Sequence, residues 1–254
     1  LAKAEALSTR KGIMVYNWLN IEHYCSLCDE RCETRQSVCG ACEAELPWLR
    51  EHCSVCALPL PASGLICGEC LKRPPAFDQV TVPWRFAFPV DTLISRFKHQ
   101  SQWPLGRLLA EQLSRHLQHA FDEGLPHPDA LLPVPLARKR LRQRGFNQAQ
   151  MLADWLSTTL SIPVDTKLIT RVQDTQSQQK LDAASRRRNL HQAFALIDDR
   201  SLTGRHLAII DDVLTTGATA EALARLLKRA GAARVDVYCL ARTPKPGESP
   251  GAVV

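Results

Sequence analysis

Eight cysteines arranged as four C-x-x-C pairs constrain the start of this chain more tightly than any other feature. The pairs are Cys25/Cys28, Cys39/Cys42, Cys53/Cys56 and Cys67/Cys70. Ten residues separate the first two pairs and ten the last two, so the segment reads twice as C-x2-C-x10-C-x2-C, an internal duplication. A C-x-x-C turn aims two thiolates at one tetrahedral ion, and two such turns complete a four-cysteine zinc site. Four turns therefore imply two structural Zn²⁺ sites. Sequential sites, 25/28 with 39/42 and 53/56 with 67/70, are expected because each half is already complete; an interleaved arrangement would mix the halves. The segment has few large apolar residues, so metal supplies much of its folding energy. Cys32, His23 and His52 are spare on this reading, and Cys239, in the apolar stretch VDVYCLA, is a core residue.

The same cysteines as a disulfide framework would require secretion. The first fourteen residues, LAKAEALSTRKGIM, lack the continuous apolar stretch of a secretory signal. They do not begin with Met; Met14 is read as a natural start, with residues 1–20 an N-terminal extension. No apolar run approaches the ~20 residues that cross a bilayer. A cytoplasmic protein with no membrane span is expected. Charge is uneven: residues 1–73 carry a balance of −1 and residues 74–254 one of +7. A basic C-terminal part suits an anionic partner, either a polyphosphate or nucleic acid.

Beyond a linker at 72–77, KRPPAF, apolar spacing alternates between strand-like and helix-like. Strands are expected in 78–88, 129–136, 163–172, 193–197, 205–212 and 234–243. Helices are expected over 89–99, 104–121, 146–160 and 220–231, the last closed by Gly231. Strands alternating with helices indicate an α/β fold, a parallel sheet covered on both faces. The tail from 244 to 254, rich in Pro, Gly and polar residues, reads as disordered.

The strongest chemical signal is LAIIDDVLTTGAT, residues 207–219. An apolar strand ends in Asp211 and Asp212, whose carboxylates accept hydrogen bonds from two ribose hydroxyls. Thr215, Thr216, Gly217, Ala218 and Thr219 then form a turn whose N–H groups converge at the start of a helix. Such a terminus is a ready phosphate site, and Gly217 lets the backbone approach closely. The carboxyl end of a strand is also where open α/β sheets bind ligands. This pattern resembles the phosphoribosyl-pyrophosphate signature of type I phosphoribosyltransferases. Upstream, Arg138, Lys139, Arg140, Arg142 and Arg144 place five cations in seven residues, suited to a diphosphate, to DNA phosphates, or to a solvated helix face. In the phosphoribosyltransferases this position is a loop that holds the pyrophosphate. The polar stretch 173–191 stands where their flexible loop closes over the reacting centre, and its Arg186, Arg187 and Arg188 are candidates to reach the leaving group.

Four cysteine pairs, then VPL…RGFNQ, then TQSQQKL…RRRNL…AF, then IIDDVLTTGAT: this arrangement, over residues 25–243, resembles the ComF family. The R-x-N-x3-AF element reads Arg187, Asn189, Ala193 and Phe194, or is offset by one arginine. The resemblance implies a type I phosphoribosyltransferase fold at 78–243 preceded by a double zinc ribbon at 21–73. It implies binding of phosphoribosyl pyrophosphate with Mg²⁺, with Asp211 and Asp212 as catalytic residues if turnover occurs. It also implies a role in natural transformation, handling incoming single-stranded DNA in the cytoplasm, beside a helicase-like partner. Either the protein transfers a phosphoribosyl group to an acceptor, or it keeps the site for ligand sensing while handling DNA.

Overall fold

Two nine-residue strands in the C-terminal half, rich in Val, Ile and Leu, build the centre of a parallel sheet. The computed structural model describes residues 23–32, 37–172, 193–197 and 201–244. The N-terminal extension, Met14, the 173–191 stretch with Arg186, Arg187, Arg188 and Asn189, and the tail from 245 lie outside the described residues. By contact the chain divides into two compact units between Glu45 and Leu46, inside the duplicated cysteine segment.

The first unit holds a two-stranded antiparallel ribbon, β1 (His23–Tyr24) with β2 (Arg31–Cys32), and a one-turn helix α1 (Gly40–Ala44). In the second unit, α2 (Gly68–Lys72) follows the last cysteine turn. The main sheet has the order β3-β9-β8-β5, with β4 also pairing β9, and every pairing is parallel. Its strands are β3 (Gln79–Thr81), β4 (Trp84–Arg85), β5 (Ala130–Pro133), β8 (His206–Leu214) and β9 (Arg234–Arg242). The helices are α3 (Val90–Gln100), α4 (Trp103–Asp122), α5 (Arg138–Arg144), α6 (Gln148–Leu160) and α7 (Ala218–Arg229).

Alternation along the strands explains why both faces are covered. Leu207, Ile209, Val235, Val237 and Cys239 join Leu223 and Leu227 of α7 in one core. Residues of the opposite parity face the other helices: the Tyr238 ring lies 6.4 Å from that of Phe121 in α4. Seven consecutive residues of β9, Val235–Ala241, are buried, so a strand without alternating polarity is what a centrally placed parallel strand requires. Cys239 is fully buried there, as its apolar setting predicts.

Two expected elements differ. The strand anticipated over 163–172 makes only a single bridge, Val164 with Leu131, and then breaks. Asp165 Oδ1 accepts the N–H groups of Lys167 and Leu168 at 3.0 and 2.9 Å, an Asx-type turn that outcompetes the ladder. Residues Ile169–Arg171 (β6) then pair antiparallel with Phe194–Leu196 (β7), apart from the main sheet. The cation-rich run 138–144 is helical rather than a loop. Arg, Lys, Leu and Gln are strong helix formers, and Gly145 ends the run at φ +78° while donating its N–H to Leu141 O at 2.8 Å.

The second cysteine cluster belongs to the same unit as this sheet. The Val80 N–H donates to Val55 O at 2.9 Å, and Leu49 N–H to Pro83 O at 2.8 Å. The Trp48 and Trp84 rings sit 5.7 Å apart, and Leu49 and Ala57 lie in the main core.

Candidate functional site

The metal centres are the simplest to test against geometry. Cys25, Cys28, Cys39 and Cys42 bring their sulfur atoms within 4.8 Å of one another, as do Cys53, Cys56, Cys67 and Cys70. This is the sequential grouping. The Sγ atoms of Cys28 and Cys39 are 3.8 Å apart, and those of Cys56 and Cys67 are 3.7 Å apart. A tetrahedron with Zn–S bonds of ~2.3 Å has edges of about 3.8 Å, so both clusters fit zinc. They do not fit disulfides, whose sulfurs lie ~2.05 Å apart. Backbone N–H groups turn inward on the thiolates, Cys67 N–H reaching Cys53 Sγ at 3.2 Å. In the first cluster Cys42 N–H reaches Cys39 Sγ at 3.5 Å. Cys32 is buried outside either cluster, and neither His23 nor His52 joins one.

The second site forms at the carboxyl end of β8. Asp211 and Asp212 lie within the strand, which continues to Leu214 before the turn begins. Asp211 Oδ1 accepts the N–H of Asp212 at 2.9 Å, and Asp212 Oδ1 that of Val213 at 3.0 Å. Asp212 is buried and ion-paired through Oδ2 with Lys98, near the end of α3. Loss of hydration, reinforced by the Asp212 charge, pushes the Asp211 carboxyl up to about 8, and Lys98 opposes that shift. Two neighbouring carboxyl groups at a strand end are placed to meet cations or hydroxyl donors.

Beyond them, Thr215 and Thr216 are exposed and Gly217 adopts φ +75°. A side chain there would have room, its nearest neighbour being Phe77 at 4.0 Å, so the backbone conformation alone selects glycine. No side chain caps α7. Its ladder opens with Glu221 N–H donating to Gly217 O at 2.8 Å, so the N–H groups of Thr219 and Ala220 precede the intrahelical bonds. The Ala218 N–H has only a long contact, 3.4 Å, to Thr216 Oγ1. The five turn residues are therefore brought together at an open helix N-terminus.

The helix α5 divides the expected cation run. Arg140 and Arg144, four residues apart, line a cleft of about 570 Å³ together with Lys98, His99, Ser101 and Gln143. Arg138, Lys139 and Arg142 face another concavity with Gln143. Burial holds Arg144 below its usual value, with the nearby Asp212 charge opposing this, yet a guanidinium stays protonated. His99 is held down by loss of hydration and by the charges of Arg144 and Lys98, so it is neutral at pH 7. The cleft's positive charge thus comes from Lys98, Arg140 and Arg144. Arg187 lies outside the described residues.

Each residue of RGFNQ has a local task. Arg144 donates to Gln148 Oε1 at 3.1 Å, and Gly145 ends α5. The Phe146 ring packs 5.7 Å from Phe97 and 6.2 Å from the half-exposed Trp103. Asn147 caps α6 by accepting Ala149 N–H, and donates to Val134 O at 3.0 Å, tying the helix to the end of β5. Sequence reasoning missed Lys98, His99, Ser101 and Trp103. Their only signal was the amphipathic spacing that placed α3 and α4.

A double zinc ribbon domain model matches residues 21–71, and a phosphoribosyl transferase domain model matches residues 143–253. The DNA utilization protein YhgH of Escherichia coli O157:H7 is 39% identical over 220 residues, 86% of this chain and 90% of that protein. Competence protein F of Haemophilus influenzae is 35% identical over the same shares. Among solved structures, a purine phosphoribosyltransferase from Pyrococcus horikoshii is 19% identical, with a TM-score of 0.32, covering 57% of this chain and 93% of that one.

Proposed function

This chain belongs to the ComF family of competence proteins, and from that membership and the chemistry at the end of β8 we propose that it binds phosphoribosyl pyrophosphate with Mg²⁺ and handles single-stranded DNA in the cytoplasm. The observation that carries the ligand is the juxtaposition of three parts. The open N-terminus of α7 takes the 5-phosphate through the 215–219 turn. Asp211 and Asp212 hold the ribose hydroxyls. Lys98, Arg140 and Arg144 line a cleft on which the diphosphate, with its Mg²⁺, is neutralised. Arg138, Lys139 and Arg142, on the other concavity of α5, are free of that duty and suit a DNA backbone. A helicase-like competence partner would deliver the strand.

Turnover is the second reading, and the cations that line the cleft beside the acid pair support it. The bond from the anomeric carbon to the diphosphate oxygen would break, the electron pair leaving with the diphosphate, and an acceptor would add to the oxocarbenium-like carbon. The cleft's cations stabilise the charge that departs, so the protein contributes mainly positioning and electrostatics.

Titration calorimetry of phosphoribosyl pyrophosphate with Mg²⁺ tests the first reading. Wild type binds, Asp211→Asn/Asp212→Asn does not, and the double variant keeps its affinity for single-stranded DNA. Absence of binding by the wild type would sink it. Release of diphosphate by the wild type in an acceptor screen, abolished in the same variant, would establish turnover.

A further inference from the structure

Arg242 closes the last register position of the sheet, opposite Leu214, where β8 hands the chain to the turn. Its side chain is buried, and it spends its hydrogen bonds on backbone carbonyls. Nε donates to Cys56 O at 3.0 Å. Nη1 donates to Leu214 O at 3.0 Å, to Thr243 O at 2.9 Å and to Thr215 O. One of these acceptors belongs to a ligand of the second four-cysteine cluster, and another is the first residue of the 215–219 turn. The flat guanidinium suits this task because its donors are fixed in one fork, and no lysine ammonium reproduces that spread.

A second link runs parallel to the first. The segment that leaves the cluster donates Ala76 N–H to Glu221 Oε2 at 2.7 Å, in the first turn of α7. Phe77 follows and lies in the main core. The cluster itself is seated on the sheet through Val55 and Cys56, both packed against the main core. The turn and the helix it opens are therefore tied to the cluster's side at Thr215 and at Glu221.

We propose that Arg242 is a positioning residue that ties the second four-cysteine cluster to the 215–219 turn, so that the turn keeps its phosphate-ready shape only while that cluster is intact. The structural half stands alone; its consequence for affinity rests on the phosphoribosyl reading of the turn. Without the guanidinium, Leu214 O keeps only the Thr243 N–H at 3.1 Å and Cys56 O and Thr215 O must turn to water, so the turn loosens.

Hydrogen–deuterium exchange on the full, zinc-loaded chain tests this, comparing wild type with Arg242→Gln, Arg242→Lys, Cys67→Ser and the Arg242→Gln/Cys67→Ser pair. Arg242→Gln and Cys67→Ser should each speed exchange in peptides covering 213–220 by about tenfold or more, with 234–241 still protected. The pair should add little to either single change, because both cut the same link. Cys42→Ser, in the other compact unit, serves as the control for zinc loss in general. An unchanged turn in Arg242→Gln, or strictly additive effects in the pair, would overturn the proposal. If Arg242→Gln does not fold, Arg242→Lys with Cys67→Ser decides it, since Lys keeps the charge but loses the fork. Calorimetry on the same proteins reads the consequence: affinity for phosphoribosyl pyrophosphate falls in step with exchange. A wild type that does not bind the ligand removes the phosphoribosyl reading and leaves the exchange result to stand.

Discussion

Replacing Lys98 by Met probes the electrostatics of the site most directly. Its side chain retains 26% of its exposure, while the Asp212 side chain that it pairs with retains 6%. Breaking a wholly buried pair costs about 3–5 kcal/mol, because it strands a charge. A fully exposed pair is worth roughly 0–1 kcal/mol. With one partner buried and the other about a quarter exposed, Lys98→Met should cost about 1–3 kcal/mol. Urea denaturation of the four proteins of a double-mutant cycle, with Asp212→Asn as the second change, measures the part that belongs to the pair. Asp212→Asn removes the stranded charge, so Lys98→Met should be close to neutral in that background, a coupling of about 1–3 kcal/mol. The coupling should shrink only modestly in high salt, because Asp212 is buried. Additive effects, or a neutral Lys98→Met, would refute the view that this lysine secures the acid pair.

Three further outcomes follow from the same geometry. Because Asp211 is raised to about 8 and ligand hydroxyls or cations favour its ionised form, binding of phosphoribosyl pyrophosphate should release a proton below that value. Affinity should then rise from about pH 6 to about pH 9, and Asp211→Asn should flatten the rise beyond what the ligand's own titration explains; calorimetry in buffers of different ionisation enthalpy reads the proton directly. Elemental analysis should find two zinc ions per chain, and one in Cys67→Ser, with the variant's thermal midpoint lower because that cluster packs against the sheet. Fluorescence anisotropy of labelled single-stranded DNA should show a salt slope that falls by about 2.1 when Arg138, Lys139 and Arg142 are all changed to Gln, or by about 1.4 when only two of them contact phosphates. An unchanged slope would place the DNA elsewhere.

What could be read in the sequence, and what could not, divides along contiguity. Asp211 through Thr219 supply acids, turn and helix start in one stretch, so the chemistry demands residue types at adjacent positions, and the order of types is visible. The cysteine pairs are visible for a related reason, since a tetrahedral ion leaves a fixed period. Lys98 lies more than a hundred residues from Asp212 and sits in an amphipathic helix where lysine is the commonest way to face water. Nothing local marks it as a partner. The run from Arg138 to Arg144 was visible as charge, but only its helical phase sorts Arg140 and Arg144 from Arg138, Lys139 and Arg142. The strand anticipated over 163–172 has the right apolar residues; Asp165 diverts the backbone into a turn. Arg242 reads in sequence as the polar end of a strand, whereas its donors are used inside the protein.

The division of the chain between Glu45 and Leu46 bears on how the molecule can be taken apart. The proline pair in the 72–77 segment invites a cut there, and a fragment starting at Pro74 would look like a self-sufficient catalytic-type domain. That cut would remove Trp48 from Trp84, Leu49 from Pro83 and the Cys56 carbonyl from Arg242, leaving an apolar wound on the sheet's flank. A fragment that begins at Leu46 keeps all of these contacts and carries one cysteine cluster with it. The two copies of the duplicated motif thus fall in different compact units, and the second of them is a wall of the domain it precedes.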